Sequence, residues 1–438
     1  MKRNIIVTAL LTALTAMVSA QTLTLQECLS RGLENNYSIR ISRNQEQMAH
    51  NNATLANAGY LPSIDLSAGY NADLANSDSK LRATGETSEV RNSLDQTLNA
   101  GIGVSWTIFD GFKISTTYKQ LKELEKMGET NTRMELEDFV AGLTAEYYNF
   151  IQQRRRLDNY YMAVQLSKER LRIVEERYNI GNFSRLDYQQ AKVDFNADSA
   201  QYIKQQEVVI SSRISLNEMM AIEAVYTPIE TYEKEISTDT TLVFVELWEK
   251  MLANNANLLL ADHSRRLTEL DYKKVLSRNY PYIKFNAGYN YTFNKYDTNS
   301  YIRRSNWGGS AGITVGFNLW DGNRRREKRN AKIEIENVQL ERNRLELALK
   351  AELGNLWQAY RNSIQLLNLE KLNVITAREN HEIAKERFAL GDLSGIEMRE
   401  AQQSMLEAEE RLLSVEYQIK VCEISLLLIS GEITNYLE

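Results

Sequence analysis

The chain of 438 residues has few prolines, cysteines and histidines, and each shortage excludes a class of structure. Only 3 prolines occur, against a usual share of about 5%, so long uninterrupted helices are expected. The 2 cysteines exclude a disulfide-rich scaffold, and together with 3 histidines they leave little material for a transition-metal site. The net charge of −6 argues against a general nucleic-acid-binding protein, which presents a basic face.

Long apolar runs are also missing, apart from one segment at the N-terminus. A basic start precedes a mostly apolar run over residues 5–18, which is too short to span a bilayer as a helix. Small residues at 18–20 complete the pattern of a secretory signal peptide. We therefore expect residues 1–20 to be a signal peptide and Gln21 to begin an exported chain without a transmembrane helix or an N-terminal lipid. Transmembrane strands, whose sequence signal is weaker, stay open.

The sequence repeats itself once, at an offset of about 210 to 220 residues. Four features recur in the same order: a proline, an Ala-Gly-Tyr-Asn segment, an aromatic-Asp-Gly joint and a Glu-Arg segment that ends in Gly. The corresponding pairs are Pro62 and Pro281, 68–71 and 287–290, 109–111 and 320–322, and 176–181 and 386–391. We interpret residues 21–222 and 242–438 as two structural repeats, joined by a connector over residues 223–241.

Each repeat is expected to contain a helix, two strands and two long helices, in that order. Alternating apolar and polar residues predict strands over 61–74, 94–109, 282–294 and 305–320, with a polar stretch at 75–93. Helical periodicity predicts helices over 22–58, 112–180, 184–222, 242–279, 323–390 and 395–430. The longest helices would measure about 100 Å, and their apolar residues follow coiled-coil spacing. Helices of this length have to pack side by side.

The four predicted strands are long enough to cross a membrane. The smallest membrane barrels have about eight strands, and an open sheet edge in lipid leaves backbone groups unpaired, at several kcal/mol each. If these strands span a membrane, the chain must oligomerise to close a barrel. The aromatic-rich strand face would then meet lipid, and the Asn, Ser, Thr and Gly face would line water. A soluble sheet with one buried face is the alternative.

The two turns that join the long helices are the most specific local motifs. The first contains Arg177, Gly181, Ser184 and Asp187, and the second contains Arg387, Gly391, Ser394 and Glu397, at equal spacing. Glycine ends a helix by adopting a left-handed conformation. Serine three residues later caps the next helix, and the acid completes a capping box. The simplest interpretation is two helix hairpins.

In the order and spacing of these motifs, the sequence resembles the TolC family of outer-membrane channel proteins over nearly the whole chain after residue 20. The resemblance implies an α+β membrane protein that forms a homotrimer. Its twelve-stranded β-barrel, with four strands per chain, would lie in the outer membrane of a Gram-negative bacterium. A long antiparallel α-helical barrel would continue into the periplasm.

The resemblance also implies a function and partners. The protein would be a passive exit duct of a tripartite efflux or type I secretion system, carrying small molecules or proteins. A periplasmic adaptor would dock at the tip turns, an inner-membrane transporter of the RND, ABC or MFS type would supply energy, and the barrel would contact outer-membrane lipid. The candidate docking residues are Arg177, Gly181, Ser184, Asp187, Arg387, Gly391 and Ser394.

Acidic residues after the second turn match those that narrow the tunnel entrance in the family. By the same resemblance, Glu397 and Glu400 are the candidate constriction, and in a trimer each becomes a ring of carboxylates that attracts cations. A local alternative is that acids in a first helical turn favour the helix dipole, by about 0.3–1 kcal/mol. The sequence departs from the best-known member at the gate: Phe388 replaces a hydrogen-bonding Tyr, and Leu393 falls near the place of an Arg. Asp187 is then left with a capping role alone.

No catalytic or metal-binding constellation emerges, so we expect no enzyme, no cofactor and no bound metal. Residues 308–312 match the Gly-x-Ser-x-Gly pattern of hydrolases, but they lie within a predicted strand. His381 and Glu382 lack the second His of a zinc protease. The arginine runs 154–156 and 324–326 are interpreted as solvated faces, although the second follows the strand-to-helix joint and could instead meet lipid headgroups.

Two functions of different classes follow from these patterns. The first is an export conduit that works with an adaptor and a pump. The second is a non-conducting structural protein of the cell envelope, with a coiled-coil rod on a β anchor. The polar strand face favours the conduit, because a filled anchor has no need of a water-facing lining.

Overall fold

The computed structural model describes residues 21–298 and 301–437, so the expected signal peptide at residues 1–20 lies outside the described residues. The helices are α1 (Leu25–Asn35), α2 (Tyr37–Asn52), α3 (Leu55–Ala58), α4 (Lys113–Asn179), α5 (Arg185–Met219), α6 (Phe244–Asn254), α7 (Ala256–Ser277), α8 (Gly322–Leu390) and α9 (Gly395–Ser430), with a final 3₁₀ helix at Ile433–Leu437. The strands are β1 (Gln21–Leu23), β2 (Ser63–Lys80), β3 (Thr87–Phe109), β4 (Ile229–Thr231), β5 (Tyr282–Lys295) and β6 (Arg303–Gly316). In these described stretches, no helix is both long and apolar enough to cross a bilayer.

The single helices expected over 22–58 and 242–279 are interrupted, and asparagine is the cause in both repeats. Between α1 and α2, the Asn36 side-chain oxygen accepts the N–H of Ser38 at 2.9 Å. Between α6 and α7, the Asn255 side-chain oxygen accepts the N–H of Leu258 at 3.2 Å. Such side-chain bonds offer the backbone an alternative to the helical ladder and begin a new helix. The expectation of one continuous helix at each place was therefore wrong.

The main sheet is antiparallel throughout, in the order β2-β3-β5-β6. Its register sets Ser63 opposite Ser105, Ile283 opposite Phe109, and Tyr282 opposite Gly316. All four strands consequently meet their helices at the same end of the sheet, which we call the helix-proximal end.

Strands β2 and β3 continue into the polar stretch at 75–93, beyond the expected bounds of 74 and 94. Polar residues pair with each other there: the Asn76 side chain accepts the N–H of Asn92 at 2.6 Å, next to a register shift, and Arg91 contacts Asp78 at 3.0 Å. Hydrogen bonds between two strands satisfy the backbone N–H and C=O groups whatever the side chains are, so the polar side chains of residues 75–93 are compatible with strands and do not by themselves indicate a loop. At the other side of the sheet, β6 ends at Gly316, before the expected residue 320.

The chain divides into two compact units. One unit, formed by Gln45–Glu129 and Leu260–Arg342, contains the main sheet. The other is formed by the remaining segments and is largely helical, and its apolar interior consists of three clusters. Cys28 and Cys422 are both free and buried, in different clusters.

The connector is fastened to the helical unit by polar contacts. Its strand β4 pairs in parallel with β1, and the buried Tyr147 hydroxyl donates to the Glu233 carboxylate and also contacts the Leu23 carbonyl. Further along, the Asp239 N–H donates to Glu423 at 3.1 Å. The connector therefore belongs to the packed structure rather than acting as a free linker.

A buried ion pair on α9 holds the C-terminal 3₁₀ helix. Lys420 contacts Glu423 at 2.8 Å, and both side chains are almost fully buried. The Tyr436 hydroxyl donates to Glu423 at 2.6 Å, while the Lys420 ammonium lies 5.0 Å from the Tyr148 ring centre. Burial and the neighbouring Glu423 carboxylate raise the pKa of Tyr436, so its hydroxyl keeps the proton that it donates.

Candidate functional site at the helical tip

Both tip turns have the geometry that their residues predict. Gly181 and Gly391 adopt positive φ angles of 83° and 95°, which side chains with a Cβ rarely tolerate. Ser184 begins α5 and Ser394 begins α9, each with a complete capping box whose acid is Asp187 or Glu397. The turns therefore stop and restart the chain within a few residues, and they bring α4 against α5 and α8 against α9.

The two hairpins share one apolar cluster near the turns. Val174 of α4, Ala191 of α5, Phe388 of α8 and Met398 of α9 are all buried in it. Ala191 and Ala401, small residues at matching positions, both lie in this cluster, which allows close approach of the helices. Phe388 packs against Phe183 of the first turn, with ring centres 6.3 Å apart.

Arg177 joins the first turn to the second. Its guanidinium donates to the Ala389 carbonyl at 2.8 Å and lies 5.4 and 5.5 Å from the ring centres of Phe183 and Phe388. Arg387, its counterpart in the repeat, makes a long contact of 3.5 Å to the Asp392 carbonyl of its own turn. The equivalent arginines therefore have different roles: only Arg177 bridges the hairpins by these contacts.

Two ion pairs reinforce the tip below the turns. Arg399 of α9 makes a bidentate contact to Asp198 of α5, at 2.6 and 2.7 Å, and Arg170 of α4 contacts Asp194 at 2.7 Å. The bond to Asp198 is the main cause that raises the pKa of Arg399, whereas burial lowers the pKa of Arg170. The first pair joins one hairpin to the other, and the second pair lies within the first hairpin.

A cavity of about 350 Å³ opens between the hairpins next to these pairs. Its lining combines the charged side chains of Arg170, Asp194 and Arg399 with apolar groups from Leu186 and Ile396. Asp187, expected to have a capping role, lines the same cavity and also accepts the N–H of Ser184 at 3.0 Å.

The two candidate constriction residues have different surroundings. The Glu397 carboxylate accepts the backbone N–H of Ser394 at 2.9 Å and its hydroxyl at 2.7 Å, and these bonds lower the pKa of Glu397. Glu400, one helical turn later, is exposed. Both line a shallow depression that also contains Arg387. The Glu397 carboxylate is therefore occupied by its own capping box, whereas Glu400 is exposed.

Sequence reasoning missed an apolar surface on the turns. Ile180, Leu186, Leu390 and Ile396 are large apolar residues whose exposed fractions are 71, 76, 79 and 74%. They occupy matching positions, one residue before each Gly and two residues after each Ser. That doubled pattern was the available signal, because four exposed apolar side chains at one place are unusual on a surface that faces only water.

The remaining sequence motifs have structural roles. Residues 308–312 lie inside β6. The arginines at 154–156 are not simply solvated, which corrects the expectation: Arg155 and Arg156 pair with Glu416 and Glu410 of α9, and Arg154 pairs with Glu230. In the described part of the chain, no cluster of three or more His, Cys, Asp or Glu side chains could hold a metal ion.

These features define a class of protein: a duplicated chain that combines a four-stranded antiparallel sheet with two pairs of long helices, each pair joined by a tight turn. The chain belongs to the outer membrane efflux protein family, whose model matches residues 28–221 and 247–432, one stretch in each half. The resemblance to the channel proteins of the TolC family is thus confirmed, and this is a family of channels rather than enzymes.

Solved structures share the fold at low sequence identity. A membrane protein from Pseudomonas aeruginosa has a TM-score of 0.77 at 14% identity, covering 94% of this chain and 91% of that one. VceC from Vibrio cholerae has a TM-score of 0.74 at 15% sequence identity, covering 93% of this chain and 96% of that one. The CmeC outer membrane channel of Campylobacter jejuni has a TM-score of 0.77 at 15% sequence identity, covering 93% of this chain and 85% of that one. Among curated proteins, no sequence matches this chain significantly.

Proposed function

We propose that this chain is one protomer of a homotrimeric exit duct in the outer membrane of a Gram-negative bacterium. The duct serves a tripartite efflux or type I secretion system and carries small molecules or proteins. Its helices extend into the periplasm, a periplasmic adaptor docks at the tip, and an inner-membrane transporter of the RND, ABC or MFS type supplies the energy.

The open sheet is the observation that carries this proposal. Within the described residues, β2 and β6 each pair along one edge only, and every residue of β2 is exposed. A long unpaired edge with exposed apolar side chains is unstable in water and in lipid alike. Three copies joined edge to edge supply twelve strands, enough to close a membrane barrel.

Aromatic side chains at the helix-proximal end of the sheet support a membrane location. Tyr60, Trp106, Phe112, Tyr280 and Tyr282 are all exposed there. The Trp106 indole donates to the Tyr60 carbonyl at 2.9 Å, and Phe112 and Tyr280 meet edge to face at 5.6 Å. Belts of aromatic residues mark the membrane–water interface of β-barrels.

The apolar residues on the turns, together with the seven candidate docking residues, form the proposed adaptor surface. Ile180 and Leu390 project from the turns, and Arg177 ties the two turns together. A rigid pair of turns loses little conformational freedom when a partner binds. Burying exposed apolar side chains against an adaptor would then supply binding free energy.

Single-channel recording tests the proposal and the constriction together. The purified protein should produce discrete cation-selective steps in planar bilayers. The Glu397→Gln/Glu400→Gln variant should lose selectivity, and Gln at 397 preserves the capping box. The matched control is Asp187→Asn, which changes the equivalent capping acid of the first turn.

Each outcome decides a different part of the proposal. If the double variant still produces cation-selective steps, the channel function is supported, but the assignment of Glu397 and Glu400 as the carboxylate rings is rejected. Loss of selectivity in Asp187→Asn as well would show that any charge at the tip has the effect. If correctly assembled trimers give no steps, the non-conducting structural protein becomes the better description.

A further inference from the structure

A patch of four cations lies at the start of α8, directly after the last strand of the sheet. Arg325, Arg326, Lys328 and Arg329 are all exposed, and none of them has an acidic partner among the residues that the structure describes. We propose that this basic patch binds the headgroups of anionic phospholipids. The inference rests on the proposed function, because it places the helix-proximal end of the sheet at the periplasmic surface of the outer membrane.

The geometry of the helix gathers these charges on one side. At about 100° per residue, the four side chains fall within an arc of about 160°. Glu327, the acid between them, points to the opposite side and pairs with Arg278 of the segment after α7. The carboxylate within this stretch of sequence is therefore already paired and lies on the other side of the helix from the patch.

The patch is unfavourable for the helix that carries it. Arg325 lies in the first turn of α8, where a basic residue opposes the positive end of the helix dipole, and like charges one turn apart, such as those of Arg325 and Arg329, repel each other. The equivalent joint of the first repeat does without them, since α4 begins with Lys113 and its next basic residue is Lys119. The joint can thus be built without the patch, and an external anion bound there would offset the repulsion between its charges.

The residues before the patch are suited to the acyl region of a bilayer. Leu319 and Trp320 are 87 and 85% exposed, although they are large and apolar. The Arg324 guanidinium donates to the Asn318 carbonyl at 2.8 Å, which fixes the chain between strand and helix. An apolar and aromatic segment that leads directly into a row of cations matches the order of acyl chain and phosphate in a lipid. Arginine also binds phosphate oxygens in a bidentate manner.

Native mass spectrometry of the full-length protein in detergent tests the assignment, with phosphatidylglycerol and phosphatidylcholine added as competing probes. The wild-type protein should retain phosphatidylglycerol at least about tenfold more strongly, given the attraction of each cation near an anionic surface. The variant Arg325→Gln/Arg326→Gln/Lys328→Gln/Arg329→Gln should lose this preference. It should fold, because Gln is a good helix former and the removed charges repelled one another.

The matched control replaces four exposed cations of the helical unit, Lys168, Lys204, Arg361 and Lys371, with Gln. It changes the net charge equally and should keep the preference. A patch variant that retains phosphatidylglycerol like the wild type would overturn the proposal, as would a control variant that loses it. Displacement of the lipid by millimolar inorganic phosphate would also overturn it, in favour of a free-phosphate site.

Conductance of the same preparations separates this inference from the proposed function. Wild-type channels without a lipid preference would reject the basic patch alone. A lipid preference that depends on the patch, in protein that never forms channels, would support lipid binding and reject the exit duct.

Discussion

Removing Asp198 should loosen the contact between the two hairpins at the tip. The Asp198 and Arg399 side chains are 10 and 23% exposed, so the pair lies between a buried pair, where removing one partner costs about 3–5 kcal/mol, and a surface pair worth at most about 1 kcal/mol. We expect Asp198→Asn to weaken the contact between the hairpins by about 2 kcal/mol, which is about a 30-fold change in the equilibrium constant for its opening. Arg399→Gln should cost less, because the charge of Arg170 remains near Asp198.

Hydrogen–deuterium exchange of peptides covering the turns measures this opening directly. Exchange protection at residues 176–186 and 386–396 should fall about 30-fold in Asp198→Asn, and less in Arg399→Gln. The matched control is Glu370→Gln, which breaks the pair between Arg411 and Glu370 within the second hairpin. Unchanged protection in Asp198→Asn would refute the reasoning, and so would an equal loss at the turns in the control.

Three further predictions concern stability. Lys420→Met should lower the free energy of unfolding by about 3–5 kcal/mol, since it leaves the Glu423 carboxylate buried without its cation. The double variant Lys420→Met/Glu423→Leu should recover part of this loss, as measured by thermal unfolding. No recovery in the double variant would contradict the explanation. Gly391→Ala should destabilise the second turn by about 1–2 kcal/mol because of its positive φ, whereas Gly354→Ala inside α8, where a Cβ meets open space, should stabilise. Burial lowers the pKa of His381 from 6.5, so the unfolded state binds the proton first as the pH falls, and the free energy of unfolding should decrease below pH 6.5. In His381→Leu, the pH dependence of hydrogen exchange at the tip should become flatter. A pH profile identical to that of the wild type would count against a role for this side chain.

Local signals predicted the tip turns well. A glycine, a serine three residues later and an acid after three more specify a left-handed residue, a cap and a capping box through neighbouring atoms only. The positive φ angles at Gly181 and Gly391 and both capping boxes follow that logic. The same reasoning was available for the breaks at Asn36 and Asn255, but helical periodicity on both sides concealed them.

Contacts between distant segments could not be predicted from the sequence. Arg177 and Ala389 are 212 positions apart, and Asp198 and Arg399 are 201 apart. Nothing in the local pattern distinguishes these side chains from solvated ones, as the arginines at 154–156 also show. Equivalent residues of the two repeats have diverged in their partners, so even the duplication did not reveal that Arg177 and Arg387 act differently.

The parallel pairing of β1 with β4 constrains the order in which the chain can fold. Residues Gln21–Leu23 find their backbone partners only at Ile229–Thr231, so more than a full repeat must be available before the first strand can be placed. Because the chain is synthesised from the N-terminus, that strand stays unpaired while the intervening hairpin and strands are made, and the pairing closes a long loop at a late stage. Until the connector is available, the unpaired first strand is open to premature contacts with other segments, so the late pairing is a vulnerable step in the folding of this chain.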